Sequence, residues 1–185
     1  MTSQNSDSHD QNVCSAKRSR RIYLAGSWKN SESILMLRDI LKAEGHEVDC
    51  FASTDTGRTS FNWSELTAGL GCQTREEAEA KLAGMDAIDL LSFDRVIKAF
   101  REDRKYLDWC DTCILVLPSG KSAHLEAGYA KGSGKDLFIF GEFLKGERDV
   151  MYGFADSLFR EDDLFQLCMR LKDTSSSVRK EAAHV

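Results

Sequence analysis

The stretch CILVLPSGKSAHLEAGYAKG, residues 113–132, decides the fold. Cys113 to Leu117 is an uninterrupted apolar run closed by Pro118. A run of this length without polar alternation suits a central strand of a parallel sheet, buried on both faces. Ser122 to Lys131 reads as a helix that starts a few residues later. A strand that hands over so quickly to a helix is one half of a βαβ unit.

Working outward, the same alternation recurs. Ile22 to Gly26 is a short apolar strand that stops at glycine. Asn30 and Ser31 can cap a helix running to about Glu44, with Ile34, Leu37 and Leu41 at helical spacing, and Gly45 ends it. Glu47 to Phe51 reads as the second strand. Residues 52–72 are polar and glycine-punctuated, with Phe61 and Trp63 interleaved; a loop this long in a compact domain favours a binding or lid role. Helical pattern resumes at about 73–83 and 86–108. Leu137 to Phe140 is a fourth strand, Met151 to Ala155 a short helical piece, Leu158-Phe159 a fifth strand, and 161–171 a last amphipathic helix. Strands alternating with helices imply a mostly parallel sheet covered on both faces, with ligands beyond the carboxyl ends of the strands.

Composition narrows the function classes. Among 185 residues, 42% are hydrophobic, enough for a core, and the single proline excludes a proline-rich ligand or linker. Residues 1–20 are rich in Ser, Asn, Asp and Gln and then basic; we read them as a disordered arm, and residues 173–185 as a disordered tail. The formal charge of −5 is uneven: residues 22–172 hold 26 acidic and 19 basic side chains. That balance disfavours a nucleic acid polymer as partner. No run approaches the roughly 20 apolar residues of a membrane span, so no membrane partner is expected. The polar start, MTSQNSDSHDQ, lacks an apolar h-region, so we expect a cytoplasmic protein with reduced thiols. Cys110-x-x-Cys113 has no second ligand pair at matching spacing, and buried thiols rather than a metal are expected.

Two loops carry chemistry. After strand one, Gly26-Ser27-Trp28-Lys29 offers a close backbone approach, a hydroxyl and a cation ahead of a helix N-terminus. After strand three, Ser119, Gly120 and Ser122 place small groups and amides at another helix N-terminus. Glu126, on that helix beside the strand ends, is positioned either as a dipole partner or as a nucleophile on an electrophilic carbon. His124 is a candidate to orient it, and Gly128 most simply lets helix and sheet pack closely. Asp103, Asp108 and Asp111 precede strand three.

Together, IYLAGSWKN, EDRKYLDWCDTCILVLPSG, SAHLEAGYAKGSGK and MYGFAD resemble the nucleoside 2-deoxyribosyltransferase superfamily, which includes 2′-deoxynucleoside 5′-monophosphate N-glycosidases. The resemblance spans residues 21–172. It implies a flavodoxin-like (Rossmann-like) three-layer sandwich with a mostly parallel five-stranded sheet. It implies a small-molecule nucleoside or nucleotide as substrate, no cofactor, and a homo-oligomer. In residue terms it implies Glu126 as nucleophile at C1′, Asp103 as acid/base for the leaving base, and Tyr23 near the sugar. Ser27 and Lys29 fall where hydrolytic relatives hold a 5′-phosphate, and Ser119 and Ser122 bracket the position of a second phosphate-binding serine. Phe61 and Trp63 are candidates to sandwich the base. Asp103 needs a proton when the base leaves. Two other readings stay open: a NAD glycohydrolase-like enzyme, and a non-catalytic nucleotide sensor of the same fold.

Overall fold

The computed structural model describes residues 19–54, 57, 58, 61, 65, 66, 69–146 and 149–173. Five strands form one sheet: β1 (Arg21–Ala25), β2 (Glu47–Cys50), β3 (Thr112–Val116), β4 (Asp136–Phe140) and β5 (Ser157–Phe159). Their order is β2-β1-β3-β4-β5, and all four pairings are parallel. The helices are α1 (Ser31–Ala43), α2 (Arg75–Ala83), α3 (Ala87–Leu90), α4 (Asp94–Trp109), α5 (Lys121–Gly132) and α6 (Leu164–Lys172).

The sheet is covered on both sides because its residues are apolar in both parities. Ile22, Leu24, Ile114 and Val116 pack with Ile34, Leu37 and Leu41 of α1 and Leu167 and Leu171 of α6. Tyr23, Ala25, Cys113 and Leu115 pack with Leu107 of α4 and Ala123, Ala127 and Ala130 of α5. Alanines on the inner face of α5 bring that helix close to the strands. The chain runs from β1 outward to β2 on one side and later to β3 on the other. The crevice of such a sheet opens at this reversal, beyond the carboxyl ends of β1 and β3.

One expectation about the elements changes. The helical pattern of 86–108 is two helices, α3 and α4, separated by residues 91–93. Ser92 Oγ donates to the Asp89 carbonyl at 2.6 Å, a local bond that competes with helix continuation. The segment after β4 is a 3-10 turn (Val150–Phe154) capped by Asp149.

Arg20, placed by composition at the end of the basic arm, is instead buried. Its guanidinium donates to the Leu171 carbonyl, Thr112 and Asp136, tying α6 to the entry of β3 and β4. Its backbone N–H donates to Nδ1 of buried His46 at 3.2 Å. Burial, and next the Arg20 charge, lower the His46 pKa below its usual 6.5. A base whose folded pKa is depressed binds fewer protons when folded, so its stability contribution is present above pH 6.5 and lost as pH falls below it. Wild type is therefore expected to lose melting temperature relative to His46→Gln between pH 6.5 and pH 5, as thermal denaturation across that window would show. Parallel curves would sink this account.

Candidate active site

The strand register builds the floor of the site. Tyr23 on β1 lies opposite Asp49 on β2 and Cys113 on β3, forming one row across three strands. Val48 and Cys50 belong to the opposite face, packed with α1, so Asp49 points with Tyr23 toward α4 and α5. Asp49 is 1% exposed, and a carboxylate so deep in a protein needs a cation. Arg58 supplies it: Nη1 donates to Asp49 Oδ2 at 2.5 Å, and Nη2 pairs with Asp103 of α4. The guanidinium lies 5.9 Å from the Tyr23 ring centroid and 5.2 Å from that of Tyr106, held between two π faces.

Glu126 stands over this row from the second turn of α5 and is half-buried. Burial raises its pKa from 4.5 to about 7, against the opposing pull of Arg58 and of the Tyr23 hydroxyl. Tyr23 is fully buried, and its hydroxyl meets no hydrogen-bond partner of good geometry. Burial, and next the Glu126 charge, push its pKa well above the phenolic range, so it stays a neutral donor. A buried donor without a partner, beside a carboxylate at the end of a sheet, is what a polar ligand would satisfy. Tyr23, Asp103 and Glu126 thus lie around Arg58 and Asp49, two residues that sequence reasoning missed.

Of the other two aspartates, neither enters the site. Asp108 pairs with Arg104 and accepts from the Tyr129 hydroxyl at 2.5 Å, clasping α4 to α5. Asp111 accepts the Arg21 backbone N–H at 3.1 Å.

The loop after β1 lies at the same end of the sheet. Ser27 accepts the Lys29 N–H at 3.3 Å, and Lys29 is exposed. Trp28 is 53% exposed and sits edge-on to Phe51 at 4.5 Å. Asn30 donates from Nδ2 to the Leu117 carbonyl at 3.0 Å, tying the β1 loop to the β3 loop. Gly26 has a reason beyond the one expected. A Cβ there meets Ile34 Cδ1 at 2.4 Å, so the glycine admits α1. Gly128 also departs from expectation: it is exposed, and a Cβ there meets nothing within 4 Å, so helix–sheet packing does not require it. Gly26→Ala is expected to cost about 1–3 kcal/mol by overpacking, and Gly128→Ala to gain up to about 1 kcal/mol of helix propensity. Opposite shifts in chemical denaturation midpoint check the pair.

His124 does not orient Glu126. Its Nδ1 lies 2.9 Å from the Gly120 carbonyl, its Nε2 lies 3.3 Å from the Tyr152 hydroxyl, and its ring stacks on Tyr152. The Gly120 contact assigns the proton to Nδ1, leaving Nε2 to accept from Tyr152. Ser119 Oγ lies 3.5 Å from His124 Nδ1, and Ser122 is exposed in the first turn of α5. This group borders two adjoining hollows of about 310 and 760 Å³ on the far side of α5. Ser119, His124, Asp149 and Tyr152 line both; Tyr23, Asp103 and Glu126 line neither. Phe61 packs under Arg95 of α4, 5.3 Å from its ring centroid, and Trp63 lies outside the described residues.

Cys110 and Cys113 are free and buried, and burial raises both thiol pKa values, so neither is a poised nucleophile. Among the described residues there is no cluster able to hold a metal ion. No helix among them is long and apolar enough to cross a membrane.

The sheet order and its two helical layers define an α/β protein of flavodoxin-like architecture. Two solved structures are similar to it. One is a 2-deoxyribosyltransferase from the psychrotolerant bacterium Bacillus psychrosaccharolyticus, 17% identical, with a TM-score of 0.51, covering 79% of this chain and 88% of that one. Another is the CMP N-glycosidase BcmB of Clostridium botulinum, also 17% identical, with a TM-score of 0.45, covering 82% of this chain and 97% of that one. No family model matches the chain, and no curated protein does. At this identity the likeness establishes the fold, and the chemistry rests on the site itself.

Proposed function

We propose that this protein cleaves the N-glycosidic bond of a (deoxy)nucleoside or nucleoside 5′-monophosphate. The observation that carries the reading is Glu126, half-buried over the β1–β3 crevice beside the unpartnered hydroxyl of Tyr23. C1′ of a nucleoside turns electrophilic as the base departs, with the oxocarbenium character familiar from glycoside hydrolysis. The Glu126 carboxylate forms a bond to C1′ as the C1′–N bond breaks, giving a glycosyl-enzyme ester. Asp103 delivers a proton to the leaving base and, as the carboxylate, takes one back from the incoming water. A second base in place of water makes the reaction a transfer. Ser27 and Lys29 are the groups assigned to a 5′-phosphate, and the Tyr23 hydroxyl to the sugar. Assembly of identical chains belongs to this reading. Leu125 on α5 and Val150, Met151 and Phe154 on the adjoining turn are exposed and offer an apolar face for it.

The test is incubation with a panel of nucleosides, their monophosphates and NAD⁺, with and without a free base, followed by chromatography and mass spectrometry of the protein. Release of a base and a glycosyl adduct on the Glu126 peptide are expected. Nicotinamide release alone would move the activity to NAD⁺. A nucleotide-induced rise in melting temperature with no base released would make the chain a sensor.

A further inference from the structure

We propose that Arg58 is a positioning residue that decides which of the two site carboxylates, Asp103 or Glu126, holds the proton. The geometry carries this. The Arg58 side chain is 3% exposed, and its two nitrogens are committed to different carboxylates. Asp49, rooted in β2 and 1% exposed, anchors one side; Asp103, on α4 and 33% exposed, takes the other. Asp49 cannot leave the core, whereas Asp103 is open to solvent and ligand. The contact with Asp103 is therefore the one that a substrate is able to replace.

The surroundings of Glu126 complete the argument. Facing it are Tyr23 from β1, Cys113 from β3 and Arg58 from the segment after β2. Arg58 in turn holds Asp49 of β2 and Asp103 of α4. On its own helix Lys121 is exposed and His124 turns to Tyr152. Glu126 forms no ion pair with a described residue, so Arg58 is the cation that acts on it, from a distance. In the resting arrangement the guanidinium lies on Asp103, which is the anion, and desolvated Glu126 takes up the proton. A base entering between Arg58 and Asp103 removes that counter-ion. Asp103 then gains the proton, Glu126 loses one, and the pair reaches the states that attack at C1′ and departure of the base require. One proton is redistributed, and no other reactant is involved.

This rests on the glycosidic reading only for its kinetic arm. The primary measurement is a carbon-13 NMR titration of the side-chain carboxyls in the full chain, which needs no substrate. Removing Arg58 alone also takes the guanidinium from buried Asp49, so the comparison is Asp49→Asn against Asp49→Asn with Arg58→Gln. When Arg58 is lost, the Asp103 midpoint is expected to rise by about two pH units and the Glu126 midpoint by about one or less, which moves the proton toward Asp103, and Arg58→Lys is expected to keep most of the wild-type values. In the active protein, the alkaline limb of the kcat/KM profile is expected to move upward with the Glu126 midpoint. Coincident midpoints with and without Arg58 would overturn the inference while leaving the glycosidic reading intact. An active Glu126→Gln protein would overturn the reading while leaving the titration result standing.

Discussion

Glu126→Gln protein is expected to release base roughly a thousandfold more slowly than wild type, or not at all, while folding normally and melting later at alkaline pH. The first half follows from the proposed role: an amide of the same shape cannot form the ester at C1′. The second half follows from the environment. Burial raises the Glu126 pKa from 4.5 to about 7, so the folded chain holds a proton there that the unfolded chain has released. An acid whose folded pKa is raised stabilises fully below its unfolded value and loses that contribution as pH climbs through the folded value. Above pH 7 the side chain is a desolvated anion, and its replacement gains about 2 kcal/mol after allowance for residual solvent. Below pH 4.5 the two proteins are expected to melt together. Thermal denaturation at pH 4 and pH 8, beside the base-release assay, checks both halves. Equal stability at pH 8 would remove the claim that the site stores strain in this carboxylate. The same midpoint sets the rate profile: the pair must enter the reaction with one proton, which rests on Glu126 and passes to Asp103, so kcat/KM is expected to fall as pH climbs through about 7.

Removal of Arg58 is the second large effect. Arg58→Leu removes the guanidinium from Asp49, a carboxylate 1% exposed in the row it shares with Tyr23. Breaking a buried pair from one side typically costs about 3–5 kcal/mol, a third or more of the stability of many domains. Replacing both members, with Asp49→Asn beside Arg58→Leu, is expected to restore most of the loss, since the stranded charge and not the missing bond carries the cost. Urea denaturation of the two single variants and the double variant forms the cycle. Additive losses would mean that the two residues act independently. Asp103→Asn, by contrast, is expected to change stability by less than about 1 kcal/mol, because the carboxyl is a third exposed and solvent replaces the guanidinium.

Much of this was legible in the residues. The apolar run before Pro118, the same pattern at 22–26, and the helical spacing of Ile34, Leu37 and Leu41 predict the layers that the structure shows, because burial on both faces demands apolar residues in both parities. The mostly parallel sheet, and the loops after strands one and three as the place to look for a ligand, follow from that pattern and the resemblance read from it. Asp49 was legible and overlooked: a charged residue between Val48 and Cys50, in a strand covered on both sides, has nowhere to go but the interior. It announces a buried cation without saying which one.

The sequence by itself determined the strand and helix types, the apolar faces that force them into three layers, and the residue types available at the strand ends. Those are set by periodicities of two and 3.6, which act between near neighbours in the chain. Tertiary structure alone decided the rest. Arg58 reaches its partners across 9 and 45 residues, and no local pattern encodes such a distance. His124 and Glu126 lie two residues apart on α5 yet serve opposite sides of it, because two residues rotate a helix by about 200°, which divides them between a crevice and a separate hollow. Gly26 is required by Ile34, and Gly128 by no neighbouring atom, a difference that depends only on what packs above each backbone.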